Sequence, residues 1–422
     1  MVNDTSNFIS GFGIIPNDWS CKTANEICTK ISKGTTPPKS EISNEGKIPF
    51  LRVNNLTFYG RLALDSDFIF VSKQSHENFL SRSMAFPNDI LMNIVGPPLG
   101  KTALLDDSYP EYNMNQAIVF YRLQKNLVDS KYFLEFLNSF KAQQWLQSRS
   151  KKTSGQQNLT IEICKDLPII LPPLIEQKAI AQILSTWDQA ISATEKMLEN
   201  SQQQKKALMQ QLLTGKKRLL DENGVRFRGE WKSTKVKEIF KPEVLSAGNQ
   251  DFPIFSVTKN GLVNQSEYFN KSVASEDTSK YRVVKTGRFV MSGLNFWMGS
   301  VDVHLMDFPV IVSPAYKVFV ITNLSSPEFM KHFIRSSLFQ KVLEAASVVG
   351  ASVVRRNFSE SIFNSYELFI PEIAEQEKIA AVLSAADQEI EGLQKKLDCL
   401  KQEKKALMQQ LLTGKKRVKV AA

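Results

Sequence analysis

The residues that come nearest to a chemical motif are Gly96-Pro97-Pro98-Leu99-Gly100-Lys101-Thr102. Glycines, a lysine and a threonine after an apolar run are the ingredients of a loop that cradles a nucleotide phosphate. The spacing argues against that role, because three residues separate the two glycines where such a loop needs four. Pro97 and Pro98 also lack the backbone N–H groups that would face the phosphates. The following residues, Ala103-Leu104-Leu105-Asp106-Asp107, do not continue as a helix. The stretch reads as a strand running into a turn, with Lys101 left as a candidate contact for a backbone phosphate.

Other catalytic constellations are missing. His76, His304 and His332 are far apart and outside any metal-ligand spacing, and no Gly-x-Ser-x-Gly elbow occurs. Cys21, Cys28, Cys164 and Cys399 form no CxxC pair and read as reduced thiols of a cytoplasmic protein. Neither an Asn-Pro-Pro-Tyr-type quartet nor a glycine-rich loop for S-adenosylmethionine is present. The chain is expected to hold no cofactor or metal and to catalyse nothing by itself. No secretory leader or membrane span is expected from its apolar pattern.

What remains is a set of hydrogen-bond donors in polar loops. The net charge of +10 suits a nucleic-acid partner, although the excess is spread along the chain and any basic groove must be assembled by folding. One polar loop, Ser150-Lys151-Lys152-Thr153-Ser154-Gly155-Gln156-Gln157-Asn158, lies late in the first half. Another, Arg355-Arg356-Asn357, lies late in the second half.

The elements that must position these loops come in two blocks. Each begins with short β-branched and aromatic runs bounded by Gly, Asn and Pro, such as "IPFLRVNNL" and "QAIVFYRL" in the first and "FPIFSVTKNGL" and "PVIVSPAYKVFVI" in the second. Each block then offers one helix, "DSKYFLEFLNSFKAQQWLQSR" or "SPEFMKHFIRSSLFQKVLEAA", followed by its polar loop and a closing strand.

Between and after the blocks the chain repeats itself. "KKALMQQLLTGKKR" occurs at Lys205–Arg218 and again 199 positions later at Lys404–Arg417. The same offset aligns Pro172 with Pro371, Glu176-Gln177 with Glu375-Gln376 and Asp188 with Asp387. Each copy has proline at its start and glycine with basic residues at its end, the punctuation of one long helix. Apolar residues recur every 3.5 positions, through Ile180, Leu184, Trp187, Ile191 and Leu198, and through Ile379, Leu383, Ile390, Leu393 and Leu397. That spacing predicts a coiled coil between the two helices. A weaker match pairs Trp19 with Trp231. The stretch before Trp19 is therefore the counterpart of the linker before Trp231. It is expected to pack beside the end of the second helix, which requires the helices to be antiparallel. Leu213 and Leu412 fall beside the seam and are expected to be free for a partner, as is Met197.

The helix starts with proline ahead of Glu-Gln, the duplicated "LLTGKKR" ends, Trp19 and Trp231 opening each block, and segments such as "NDILMNIVGPPLGKTAL" and "GQQNLT" resemble the specificity subunit of type I restriction–modification systems. The resemblance covers nearly the whole chain and is looser in wording in the second block. It implies an α+β chain with two mixed α/β target-recognition domains separated by two long helices forming an antiparallel coiled coil, in a pseudo-two-fold circular arrangement. The expected boundaries are 1–170 and 219–369 for the recognition domains, and 171–218 and 370–422 for the helices. The chain would be a non-catalytic subunit that binds double-stranded DNA, each block reading half of a split target. It would dock two adenine methyltransferase (modification) subunits, which use S-adenosylmethionine, and join ATP-dependent restriction/translocase subunits.

The residue types agree with this, since DNA is read by Arg, Lys, Asn, Gln, Ser and Thr at loop tips. Block one offers Lys33, Thr35, Arg52, Asn54, Asn55, Asn93, Lys101, Lys151, Lys152, Gln156, Gln157 and Asn158. Block two offers Lys259, Asn260, Arg288, Asn295, Trp297, Arg355, Arg356 and Asn357. The competing reading is a coiled-coil scaffold that joins partners without sequence readout.

Overall fold

The computed structural model describes residues 7–9, 11–63, 68–153, 156–268, 277–352 and 355–419. It divides into two compact units, Met1–Thr194 with Lys396–Ala422, and Glu195–Lys395. Each holds one block together with parts of both long helices. Those helices run Leu174–Leu212 and Ile373–Leu411, each 39 residues.

In the first unit the central sheet is antiparallel, in the order Thr102–Leu104, Ile90–Asn93, Ile118–Leu123 and Cys28–Lys33. A second sheet orders Asn113–Met114, Ile48–Leu51, Ile69–Val71 and Ile42–Ser43, with a parallel step between the first two. The closing strand Pro168–Leu171 returns to pair with Ser20–Thr23 beside Trp19.

The second unit rebuilds the central sheet from different residues. Its order is Val301–His304, Arg288–Met291, Lys317–Ile321 and Phe240–Glu243, again antiparallel. Glu367–Ile370 closes it on Lys232–Lys235. The correspondence extends to backbone detail: Asn88, before Ile90–Asn93, has φ 75°, and Gly287, before Arg288–Met291, has φ 78°.

Two expectations about the blocks' elements need correction. Each block has two helices where one was expected, Ser130–Leu137 then Phe140–Arg149, and Pro327–Phe333 then Ser337–Ala345. A serine makes the break: Ser139 accepts from the N–H of Ala142 and Ser336 from that of Phe339, so each caps a new helix. Likewise "FPIFSVTKNGL" is a hairpin, Phe255–Thr258 against Gly261–Asn264, turning at Lys259-Asn260.

The helices are antiparallel in both units. In the first, Lys404 of the second helix reaches Asp188 of the first at 2.7 Å. In the second, Lys205 of the first helix bonds Asp387 of the second. The seam residues Ile180, Leu184, Ile191 and Leu198 are buried, as are Ile379, Leu383, Leu393 and Leu397. Phe12 and Leu412 share one core, as expected for an N-terminal stretch packed on the end of the second helix.

Leu213 and Leu412 are not free for a partner. They are 0% and 3% exposed, in the cores of the second and first units respectively. The heptad count left them beside the seam, and the α/β block of each unit covers them. Met197 does remain half exposed.

The Glu-Gln pair at each helix start now has a physical reason. Gln177 donates to the carbonyls of Pro172 and Leu127 and accepts from the N–H of Asp129. Gln376 donates to Pro371 and Leu324 and accepts from Ser325 and Ser326. Each buried amide thus ties the helix start to its block, satisfying backbone groups of the loop that leads into the paired helices.

Candidate nucleic-acid interface

In the first unit, backbone bonds bring the polar loops to one end of the central sheet. The N–H of Thr35 bonds Met114 and that of Gly34 bonds Ile118. Ile94 donates to Ala117 and accepts from Leu159, which follows the late loop. Gln156–Asn158 pairs with Lys151–Thr153 on one side and with Val95–Gly96 on the other. Lys33, Thr35, the 94–100 loop and the late hairpin therefore lie along one rim.

On that rim Lys33, Lys151 and Gln156 are exposed, and Thr35, Gln157 and Asn158 are half-buried. Lys101 is half-buried, with its ammonium 5.9 Å from the centre of the Phe58 ring. Asn54 is exposed on the short turn Val53–Asn55, and Arg52 just before it is half-buried. The side chains of Lys152 and Arg355 lie outside the described residues.

In the second unit Arg335 does the gathering. Its guanidinium donates to the carbonyls of Lys259 at 2.7 Å and Gly299 at 3.3 Å, joining the 259–260 turn to the 293–299 loop. The Arg356 guanidinium stacks 4.4 Å from the Trp297 ring, joining that loop to the hairpin Ser347–Ser352/Arg355–Phe358. Lys259, Asn260, Asn295 and Asn357 are exposed around this junction, and Trp297 and Arg356 are half-buried.

Two candidates, Asn93 and Asn55, are buried, and a third, Arg288, is half-buried in an ion pair. Asn93 is 0% exposed, donates to the carbonyls of Val95 and Pro98 and accepts from the N–H of Lys101. It is the internal brace of the 94–100 loop. Asn55 is buried and accepts from the N–H of Arg52. Arg288 is engaged by both oxygens of Glu243, at 2.9 and 3.1 Å.

Sequence reading missed Arg82 and Arg149. Arg82 donates to the Thr35 hydroxyl at 3.3 Å, so it stands on the same rim. Arg149 is exposed at the end of its helix, stacked 4.1 Å from the Trp145 ring and two residues before Lys151. An arginine one helical turn after a tryptophan was the available signal.

Among the described residues no group of histidine, cysteine and acidic side chains could hold a metal ion. No helix among them is long and apolar enough to cross a membrane. His76 and His304 are buried, and burial pushes both below the ordinary imidazole value.

The chain is similar to known proteins over different extents. Residues 16–201 match the type I restriction modification DNA specificity domain. Two type I restriction enzyme specificity subunits of Methanocaldococcus jannaschii, MjaX and MjaVIII, are 25% and 26% identical to it. The alignments cover 96% and 98% of this chain and 96% of each relative. The fold is shared with the S subunit of a type I system from M. genitalium, at TM-score 0.58, 16% identity and 97% coverage of both chains. It is also shared with a chain from a structure of type I system assembly and conformational transition. That match has TM-score 0.55 and 12% identity, covering 95% of this chain and 99% of the other. The matched domain contains the 94–100 loop and the late hairpin of the first unit, the relatives extend the match through the second, and over nearly its whole length the chain is similar to type I restriction–modification specificity subunits.

Proposed function

We propose that this non-catalytic subunit reads a split DNA target, one half with each recognition block, while the two long helices set the gap between the halves. The observation that carries this reading is one frame built twice from unlike sequences. The sheet order, the capped helix pair and the Glu-Gln anchor recur, while the loops at the sheet rim differ. A frame that holds still while its loops vary suits a protein whose partners are constant and whose half-sites are not.

On this reading, Lys33, Lys151, Lys259 and Arg149 meet phosphates, and Gln156, Gln157, Asn295 and Asn357 meet base edges. Phosphate contacts orient the protein and base contacts select sequence. The helices dock two adenine methyltransferase subunits, to which Met197 offers an exposed apolar contact, and restriction subunits join the assembly in the cytoplasm.

The test is replacement of residues 232–369 with the corresponding block of another specificity subunit, followed by mapping of methylated adenines in genomic DNA. One half of the methylated target changes if the blocks read independently. A change in both halves or in neither sinks the modular reading. Partner binding without any sequence-specific methylation would favour a scaffold.

A further inference from the structure

The 94–100 loop of the first unit and the 293–299 loop of the second are counterparts, but they offer different chemistry at their tips. Asn93 and Ser292 brace the two loops from equivalent strand ends. Ser292 accepts from the N–H groups of Leu294 and Asn295. Gly100 and Gly299 end the loops at φ 90° and 84°. The carbonyl of Ala315 comes so close to Gly293 that a Cβ there would lie 2.2 Å from it. Gln340 holds the carbonyl of Trp297 at 2.8 Å, and Phe296 is sunk in the core. This loop is a fixed platform.

From it project Leu294, 70% exposed, and Met298, 59% exposed. Single exposed apolar residues are ordinary. These two stand four positions apart on one braced loop, beside the exposed amides of Asn295 and Asn357. Neither side chain can bond a phosphate. On the major-groove edge of DNA, the apolar feature is the C5 methyl of thymine. In the first unit the equivalent residues are Val95, half-buried in strand pairing with Asn158, and Leu99, buried. The apolar pair is presented by the second unit and withdrawn in the first.

We propose that Leu294 and Met298 read the C5 methyl of thymine in the half-target of the second block. This rests on the DNA-reading function proposed above. The full-length chain is used to select its preferred duplex from a random pool, and binding is then measured with deoxyuridine replacing thymine in one half-site at a time. Deoxyuridine pairs as thymine does and lacks only the methyl. Wild-type affinity falls about fourfold per methyl lost when the second block's half is substituted, that half being the one altered by replacing residues 232–369. Leu294→Ala with Met298→Ala removes the discrimination between the two duplexes, with thermal melting confirming the fold. Equal wild-type binding to both duplexes overturns the inference, as does a second half-site without thymine. A variant that weakens both duplexes equally also overturns it, pointing to a wedge between base steps. A selection that yields no preferred sequence overturns the DNA reading itself.

Discussion

The guanidinium of Arg417 grips the carboxylate of Glu176 through two hydrogen bonds of 2.8 Å, linking the tail of the second long helix to the first turn of the first. The Trp19 indole donates to the same carboxylate at 3.1 Å. Burial would raise the Glu176 pKa, but Arg417 and Trp19 hold it below the ordinary carboxylate value. The second unit repeats the pair as Arg218 and Glu375, at 2.6 Å. Arg417→Ala leaves a buried carboxylate without its cation, and should destabilise the first unit by about 2–4 kcal/mol. Urea unfolding of the full chain measures this. A loss below about 0.5 kcal/mol would mean the pair behaves as an exposed ion pair.

The two copies of "LLTGKKR" should not tolerate substitution equally. Gly215 and Gly414 both sit in the left-handed region, at φ 69° and 72°. A side chain at either costs about 1 kcal/mol for the backbone alone. Beyond that their surroundings differ. A Cβ on Gly414 would lie 2.4 Å from Pro16, whereas on Gly215 it would lie 3.3 Å from Trp231. Gly414→Ala should therefore lower the melting temperature more than Gly215→Ala. Equal shifts would show that Pro16 moves aside freely.

Much of this frame was legible because it is repetitive. Identical residues 199 positions apart exposed the helices, and the 3.5-residue spacing exposed their pairing. The antiparallel direction followed from where Trp19 and Trp231 stand in the order of elements. The rim was less legible, for a physical reason. Asn93 as a buried brace and Asn54 as an exposed tip have the same composition-level signature, and burial separates them. Leu213 failed differently. A heptad count knows only the partner helix, whereas a third surface, the recognition block, covers that leucine.

Equivalent positions in the two units carry Glu135 and His332, and they should give opposite pH responses. Burial pushes His332 down to about 4, against the pull of Asp387 and with Lys205 and Lys331 nearby. Its contribution to stability is full above the unfolded value of 6.5 and is lost as pH falls through the folded value, an effect of up to about 3 kcal/mol. Glu135, facing Lys404 and Asp188, is raised by burial above its ordinary 4.5. Its contribution is full below 4.5 and is lost as pH rises through the raised value. Acidification from pH 7 to 5 should thus weaken the second unit, and His332→Gln should flatten that dependence. Hydrogen exchange resolved by unit measures both. Parallel pH responses in the two units would refute the assignment.

The Trp297–Arg356 stack gives the last prediction, because it holds the late hairpin of the second unit against the 293–299 loop. The first unit makes the same junction by strand pairing, Gln157 with Gly96 and Asn158 with Val95. A stack is worth about 1–2 kcal/mol when partly desolvated, and the Phe296 and Phe358 rings, 5.2 Å apart, make a second contact across the same junction. Arg356 can position the hairpin or touch DNA, and two variants separate these roles. Trp297→Ala frees the guanidinium and keeps its charge. It should weaken specific DNA binding while leaving the salt dependence of binding unchanged. Arg355→Ala with Arg356→Ala removes two charges, and should lower that salt dependence by about one to two counterions if the arginines meet phosphates. It should instead relax one base position, at about 1–3 kcal/mol, if one of them reads a guanine edge. Affinity, salt slope and target all unchanged in both variants would leave the hairpin a solvated surface, and place the second half-site elsewhere on the unit.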